Sequence, residues 1–128
     1  MLDGKLSCHM IYQDDDCISI LDKYPIDNGH SLVITKKPYE KITDMDISEV
    51  SKLFSKIPKI AKAIVRATNA DAFSIAQNNG KAAKQIIPHV HIHIIPRYNT
   101  TGTLWTKRKI LTENELDDLA QKIKKCLE

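Results

Sequence analysis

Histidine alternates with β-branched residues along one segment of this chain, between Pro88 and Pro96. Successive side chains of a β-strand point to opposite faces, so the pattern predicts a strand over 89–95 with imidazoles on one face. Aliphatic side chains on the other face would anchor that strand in a core and hold the histidines rigidly. The predicted polar face carries His89, His91 and His93. The predicted core face carries Val90, Ile92 and Ile94.

Four other segments have the short apolar runs that are typical of strands: 6–12, 17–21, 31–35 and 72–76. The acidic turn 14–16 separates the first two, which predicts a β-hairpin. A polar loop that contains glycine joins the strand at 72–76 to the histidine strand. The chain therefore has enough strand segments for one sheet of about five strands.

Helical spacing begins at Asp46, with Glu49 as the expected partner of a capping pair. Pro58 removes a backbone donor and should kink this helix or split it in two. A second helix is predicted over 113–127, after the capping pair Thr112 and Glu115. Strands and helices in separate segments indicate an α+β fold. The apolar stripe of the first helix is predicted to be core and comprises Ile47, Val50, Leu53, Phe54, Ile57, Ile60, Ala61, Ile64 and Val65.

Composition fits a single domain over residues 1–128, because 128 residues with 42% hydrophobic content can bury one core. The net charge is +3, and acidic and basic residues are interspersed along the chain, so specific nucleic-acid binding is not expected. Three cysteines without paired spacing argue against a disulfide framework or a cysteine-based zinc site. No leader pattern and no apolar run of about 18 residues is present, so we expect no membrane association and a cytoplasmic location.

Three readings of the histidine strand stay open on the residues alone. The histidines are polar residues of an outer sheet face, or ligands of a metal ion, or a nucleophile with its supporting groups. The outer two lie about 13 Å apart, so one ion cannot take all three. The loop Gln77 to Gln85 offers neutral amides that suit phosphate oxygens, although an ordinary surface turn explains it as well.

Several motifs together give the chain a resemblance to a known family. They are Asp14-Asp15-Asp16, Leu21-Asp22-Lys23-Tyr24-Pro25, Gly29-His30-Ser31-Leu32-Val33-Ile34, the loop Asn78 to Gln85, and His89 to Arg97. In this order and spacing they resemble the histidine triad (HIT) family of nucleotide hydrolases and transferases, in its Hint/Fhit-like branch. The resemblance covers about residues 4–98, and 99–128 would be a C-terminal extension with a helix. It implies a five-stranded antiparallel sheet with a main helix packed on it, and a homodimer.

The resemblance implies a role for each histidine of the motif. His91 would attack the α-phosphorus of a nucleotide and form a covalent nucleotidyl-histidine intermediate, because a neutral imidazole attacks well and leaves well. His93 would stabilise charge on the phosphate, and His89 would orient and polarise the set. His30 would complete the chain of imidazoles behind the nucleophile. His9 matches no functional position and is expected on the surface.

The resemblance also implies a nucleotide pocket for purine, AMP-like substrates, either nucleoside phosphoramidates or dinucleoside polyphosphates. Asp22 would accept hydrogen bonds from the ribose hydroxyls. Ile20 and Leu21 fall where the family builds its apolar base slot, although strand-core positions explain them equally well. Asn78 and Gln85 would contact phosphate or the leaving group.

Three departures from the family pattern qualify these expectations. Relatives with a structural zinc site carry a Cys-x-x-Cys segment and a histidine where this chain has Pro38, so we expect no metal and no cofactor. Lys84 replaces a glycine and could attract extra phosphates. Ile86 stands where many relatives carry a polar residue. A nucleotide-binding module with vestigial catalysis and a metalloenzyme using two triad histidines are the alternatives.

Overall fold

Five strands form one antiparallel sheet in the computed structural model, which describes residues 9–100 and 111–128. The order of the strands in the sheet is β1-β2-β3-β5-β4. This arrangement confirms the predicted α+β class with a five-stranded antiparallel sheet. The strands are β1 (Met10–Gln13), β2 (Cys17–Leu21), β3 (Ser31–Thr35), β4 (Ala72–Ala76) and β5 (His91–Arg97).

Two predicted strands differ from the structure in their bounds, which are 10–13 instead of 6–12 for the first and 91–97 instead of 89–95 for the last. The first strand begins at Met10 instead of residue 6, and positions 6–8 of that prediction lie outside the described residues. The last strand begins at His91 instead of His89. The backbone before His91 is held elsewhere, because Val90 N–H donates to the Tyr39 carbonyl at 2.7 Å. The expectation of three histidines within one strand is therefore wrong, because His89 lies outside β5.

Three helices accompany the sheet: α1 (Ile47–Ser55), α2 (Ile57–Thr68) and α3 (Glu113–Leu127). The break between α1 and α2 confirms the predicted effect of Pro58, which occupies the first turn of α2, where its missing N–H costs nothing. The capping pair of α3 is also confirmed, since Thr112 Oγ1 accepts from Glu115 N–H at 3.1 Å. Within the described ranges, every helix is too short or too polar to traverse a bilayer.

The expected side-chain cap of α1 is wrong. Asp46 lies at the N-cap, but only its backbone carbonyl accepts from the first helical N–H groups. The carboxylate of Glu49 bonds Lys37 Nζ at 2.9 Å instead of reaching back to the cap. Two positions of the predicted stripe are wrong too, because Ile47 is 87% exposed and Phe54 is 38% exposed, and α1 buries only Leu53.

The helices cover one face of the sheet, and the histidines lie on the other. Residues paired across antiparallel strands point to the same face. His93 pairs with Leu32 and His91 pairs with Ile34, while Leu32 pairs with Ile20. The histidine face therefore carries a small apolar cluster of its own, Ile20, Leu32 and Ile34. The helical face carries the main core, which includes Leu21, Val33, Leu53, Ile60, Ile64, Val90, Ile92, Ile94, Leu116 and Ile123.

Candidate active site

His91 and His93 form the centre of the site on β5. Both side chains point to the face away from the helices because they stand two residues apart on one strand. Each residue is 7% exposed, and the two ring centroids lie 5.0 Å apart. Val90, Ile92 and Ile94, which point the other way, are fully buried and fix the strand from behind. The strand therefore presents two adjacent imidazoles with little freedom to move.

The hydrogen bond of His91 determines which of its nitrogens can react. Nδ1 lies 2.8 Å from the carbonyl oxygen of His89. A carbonyl oxygen only accepts, so Nδ1 carries the proton and Nε2 of the neutral ring keeps its lone pair. The structure thus prepares His91 Nε2 as a nucleophile.

His30 and His93 form a hydrogen-bonded row that begins at the backbone. The Ile26 N–H donates to His30 Nδ1 at 3.0 Å, so His30 carries its proton on Nε2. His30 Nε2–H then donates to His93 Nδ1 at 2.9 Å, and both residues are buried. Because its Nδ1 accepts this hydrogen bond, neutral His93 carries its single ring N–H on Nε2. The row therefore ends in the Nε2–H of His93, on the same face of the sheet as the lone pair of His91 and with the two ring centroids 5.0 Å apart.

Asp22 places a carboxylate at the edge of this row. Its Oδ2 lies 3.7 Å from His30 Nε2, and its Oδ1 accepts from the Tyr24 N–H at 2.9 Å. The side chain is 18% exposed, so a ligand in solvent can reach it. A carboxylate in this position favours positive charge on the imidazole row and can accept hydrogen bonds from hydroxyl groups.

Asp22, His30 and His93 also have the spacing of a metal site, since their ligand atoms lie within 4.8 Å of one another. The hydrogen bonds of His30 argue against that use. A metal bound at Nε2 would force the ring proton onto Nδ1, where it would face the Ile26 N–H. Two donors would then oppose each other in a buried position, which is costly. The donor set suits a hydrogen-bonded row better than a metal ion.

The side chain of His89 does not join the row. Its Nε2 lies 2.7 Å from the Thr35 carbonyl and 3.1 Å from Thr35 Oγ1. His89 reaches the nucleophile only through its carbonyl oxygen, which accepts from His91. Pro38 has no ligand atom, so it does not fit the structural zinc site that the resemblance implies for some relatives, in which a histidine stands at this position.

The loop before β5 is fixed to the segment that follows β3. Gln85 is buried, and its side chain bonds two backbone groups, the Gly80 N–H and the Glu40 carbonyl. Asn79 Oδ1 accepts from the Ile42 N–H at 2.8 Å. Asn78 is half-buried, and Lys84 is exposed in a left-handed conformation with φ of +66°. The structure therefore uses the Gln85 amide to hold the loop, and the ligand contacts expected of Asn78, Gln85 and Lys84 stay predictions.

The two apolar pocket candidates separate onto opposite faces of the sheet. Ile20 lies on the histidine face, next to Leu32, which pairs with His93. Leu21 lies in the main core with Val33 and the helices. Alternation along β2 explains the difference, so Ile20 can border a bound base and Leu21 supports the strand from behind.

Sequence reasoning missed three parts of this site. The Ile26 N–H and the His89 carbonyl fix the two imidazole tautomers, and a backbone group leaves no pattern in a sequence. Thr35 holds the His89 ring, and only its position at the end of a strand hinted at such a role. His9 is wrongly predicted as a surface residue, because its side chain is only 9% exposed and contacts α3.

Comparisons of the sequence with known proteins show which family and which relatives the chain resembles. The sequence model of the HIT domain matches residues 3–100. The chain is 41% identical over 97% of its length to the adenylylsulfatase HINT3 of Arabidopsis thaliana, and it spans 63% of that protein. It is 30% identical to the adenosine 5'-monophosphoramidase hnt1 of Schizosaccharomyces pombe, covering 94% of this chain and 89% of that one.

A similar solved structure is that of a Hit-like protein involved in cell-cycle regulation from Bartonella henselae, with an unknown ligand. The two chains superpose with a TM-score of 0.89 at 34% identity. The match covers 98% of this chain and 90% of that one.

Proposed function

This chain belongs to the HIT domain family, and on that premise we propose that it hydrolyses or transfers the nucleoside monophosphate group of AMP-like purine nucleotides. The observation that carries the proposal is the pair of complementary rings on β5. His91 offers a lone pair at Nε2, and the row of His30 and His93 ends in an N–H donor on the same face of the sheet. A nucleophile next to a fixed donor is the pairing that attack on an α-phosphate needs.

The proposed reaction has two steps. The lone pair of His91 Nε2 forms a bond to the α-phosphorus, and the bond from phosphorus to the leaving group breaks with its electron pair. An amine leaving group takes a proton from water, whereas sulfate or phosphate needs none. A water oxygen then attacks the phosphorus, the pair of the P–N bond returns to His91 Nε2, and the water proton goes to solvent. His93 Nε2–H donates to the phosphoryl oxygens in both steps.

We assign the binding of the nucleotide to the residues around this pair. Asp22 accepts from the ribose hydroxyls, and Ile20 forms one wall for the base. Asn78, Gln85 and Lys84 contact the phosphate or the leaving group. Three leaving-group classes are compatible with these residues: an amine of a phosphoramidate, sulfate as in the substrate named for the Arabidopsis relative, and the phosphates of a dinucleoside polyphosphate.

A trapping experiment tests the mechanism. We expect rapid quenching of wild-type protein with adenosine phosphoramidate, adenylyl sulfate or diadenosine triphosphate to yield adenylylated protein. His91→Ala should reduce turnover at least about 100-fold and abolish the adduct. His91→Gly should regain part of the rate with added imidazole and none without it. Turnover that survives His91→Ala would rule out the nucleophilic role.

We also propose that no metal takes part, since the Ile26 N–H opposes ligation by His30. Activity should then be unchanged by a strong chelator, and a chelator-sensitive rate restored by one divalent ion would overturn this part of the proposal.

A nucleotide-binding module with vestigial catalysis is the second candidate. The observation that favours it is Gln85, whose side chain already bonds the Gly80 and Glu40 backbones. Tight AMP binding without turnover of any of the three substrates, and without an adduct, would select this candidate.

We propose a homodimer as the working form. Strand β4 forms one edge of the sheet, and its Phe73 and Ile75 are 45% and 47% exposed. An apolar edge strand is a surface that a second copy can cover. A cytoplasmic location stays a prediction, with which the free thiols of Cys17 and Cys126 are compatible.

A further inference from the structure

His9 lies directly before β1, and its ring bridges to helix α3. Nδ1 is 2.7 Å from Asp117 Oδ1, and Nε2 is 2.7 Å from Glu113 Oε2. Carboxylate oxygens in their ionised form only accept, so both ring nitrogens must donate. A ring with two N–H groups carries a positive charge. In the conformation described, His9 is therefore a cation held between two acids one helical turn apart.

This bridge is connected to the proposed nucleotide pocket on both sides of Asp22. The carbonyl of His9 accepts from the N–H of Leu21, the residue before Asp22, at 2.9 Å. Lys23, the residue after Asp22, has its Nζ 3.8 Å from Glu113 Oε1. Helix α3 is thus linked to Leu21 indirectly through His9 and to Lys23 through the side chain of Glu113, although α3 lies outside the matched domain at 3–100.

We propose that Glu113 and Asp117 are positioning residues for Asp22, and that the ion-pair cluster His9, Lys23, Glu113 and Asp117 is a pH-sensitive latch that sets nucleotide affinity. The inference rests on the proposed function, because it takes Asp22 as the acceptor for ribose. The latch is closed while His9 carries both protons. When the ring loses one, a lone pair faces a carboxylate and that contact becomes repulsive.

The direction of the effect follows from the charges around His9. Among the described residues, the charged groups that face it are Glu113 and Asp117, and Lys23 faces Glu113 from the segment after β2. The carboxylates are 56% and 64% exposed, so each pair is screened by solvent and the effect is modest. Loss of one ring proton removes the attraction to one carboxylate, so nucleotide affinity should be higher with His9 doubly protonated than with His9 neutral.

The test compares AMP binding by calorimetry in wild type and the double variant Glu113→Gln/Asp117→Asn. At about pH 6 the variant should bind about three- to tenfold more weakly, and at about pH 8.5 the loss should be clearly smaller, because only the exposed pair of Lys23 and Glu113 then still distinguishes the two proteins. Titration of the site histidines is common to both proteins, so it cancels in the comparison. In turnover assays at about pH 6, the double variant should have a higher KM than wild type and the same kcat.

The matched control is Asp118→Asn, because Asp118 is the exposed neighbour of Asp117 and makes no contact with His9 in the described chain. It should bind as wild type does at both pH values. A second variant, His9→Gln, should bind AMP weakly at both pH values. Thermal unfolding checks that each variant is folded.

Equal affinity of wild type and the double variant at about pH 6 would overturn the latch. A loss of the same size at both pH values would also overturn it, since that result indicates a general structural role. If Asp22→Asn binds AMP like wild type, or wild type does not bind AMP, the proposed function fails and the latch fails with it. The latch alone fails when Asp22→Asn weakens binding and the double variant does not.

Discussion

Gly29 and Gly80 share a positive φ of +92° in different surroundings. A Cβ at Gly29 would lie 2.8 Å from Thr68 Cγ2 and 3.0 Å from Pro96 Cγ, whereas at Gly80 the nearest atom is Lys41 Cε at 3.8 Å. Gly29→Ala therefore adds a steric clash to the backbone strain and should cost about 2–4 kcal/mol of unfolding free energy. Denaturant titration of Gly29→Ala and wild type measures this loss of unfolding free energy.

Gly80→Ala is the control for this comparison, because it keeps the strain and omits the clash. With φ of +92° and ψ of 159°, Gly80 lies where a Cβ is strained by about 1–3 kcal/mol, so Gly80→Ala should cost less than Gly29→Ala by the size of the clash. Gly29→Ala should also lower turnover, since Gly29 directly precedes His30 and Ser31 Oγ donates to its carbonyl. Equal stability losses for the two variants would show that the turn can move away from Thr68.

Lys84 adopts a left-handed conformation that costs a residue with a Cβ about 1 kcal/mol. Lys84→Gly should therefore raise the free energy of unfolding by about 0.5–1 kcal/mol. Lys84→Ala removes the charge but keeps the Cβ, so its stability should match that of wild type. If Lys84→Ala stabilises as much as glycine does, loss of charge rather than relief of strain is the cause.

At the scale of elements, the β1–β2 turn is fastened to the break between α1 and α2. Burial acts to raise the pKa of Asp14, but hydrogen bonds from Lys56, Tyr12 and two backbone N–H groups outweigh it and hold that pKa well below its usual range. The Asp14 hydrogen bond in turn raises the pKa of Lys56. Burial, with Asp14 nearby, raises the pKa of the Cys17 thiol to about 11, so Cys17 stays protonated at neutral pH.

The lowered pKa of Asp14 sets an acid dependence of stability. A carboxyl with a lowered folded pKa stabilises above its unfolded pKa, here the ordinary aspartate pKa of 3.8, and loses that contribution as the pH falls below it. Asp14→Asn should cost about 1–2 kcal/mol at neutral pH and progressively less below about pH 4. Urea titrations across this range measure the difference, and a gap that stays constant in acid would contradict the assignment.

Elements with a strong local pattern were predictable from the sequence. Strands β2, β3 and β4, the helix split at Pro58 and the α3 cap all follow from alternation, helical spacing or capping residues. The start of β5 was not, because the backbone of Val90 bonds Tyr39, fifty-one positions earlier. The site histidines could be named from their motif, but their tautomers depend on backbone groups of Ile26 and His89.

At the scale of the whole molecule, the edge that β4 forms in the described sheet bears on the proposed dimer. Ile75 pairs with the buried Ile94 and points to the helical face, yet it is 47% exposed at the rim. Ile75→Glu would place a charge on this apolar edge, and we expect it to shift the protein from dimer to monomer in sedimentation equilibrium.

The control for the dimer is Ile47→Glu, because Ile47 is 87% exposed on α1, away from β4. It should leave the oligomeric state unchanged. A wild-type protein that sediments as a monomer would remove the proposed dimer, and loss of the dimer in both variants would place the interface elsewhere.

The imidazole row begins at the amide of Ile26, a group that does not ionise at any pH at which the protein is folded. The row therefore polarises His93 but passes no proton beyond His30 Nδ1. In the proposed reaction, the protons consumed or released are exchanged at the end of the row where His91 and His93 stand, and the backbone anchor at Ile26 takes no part in proton transfer.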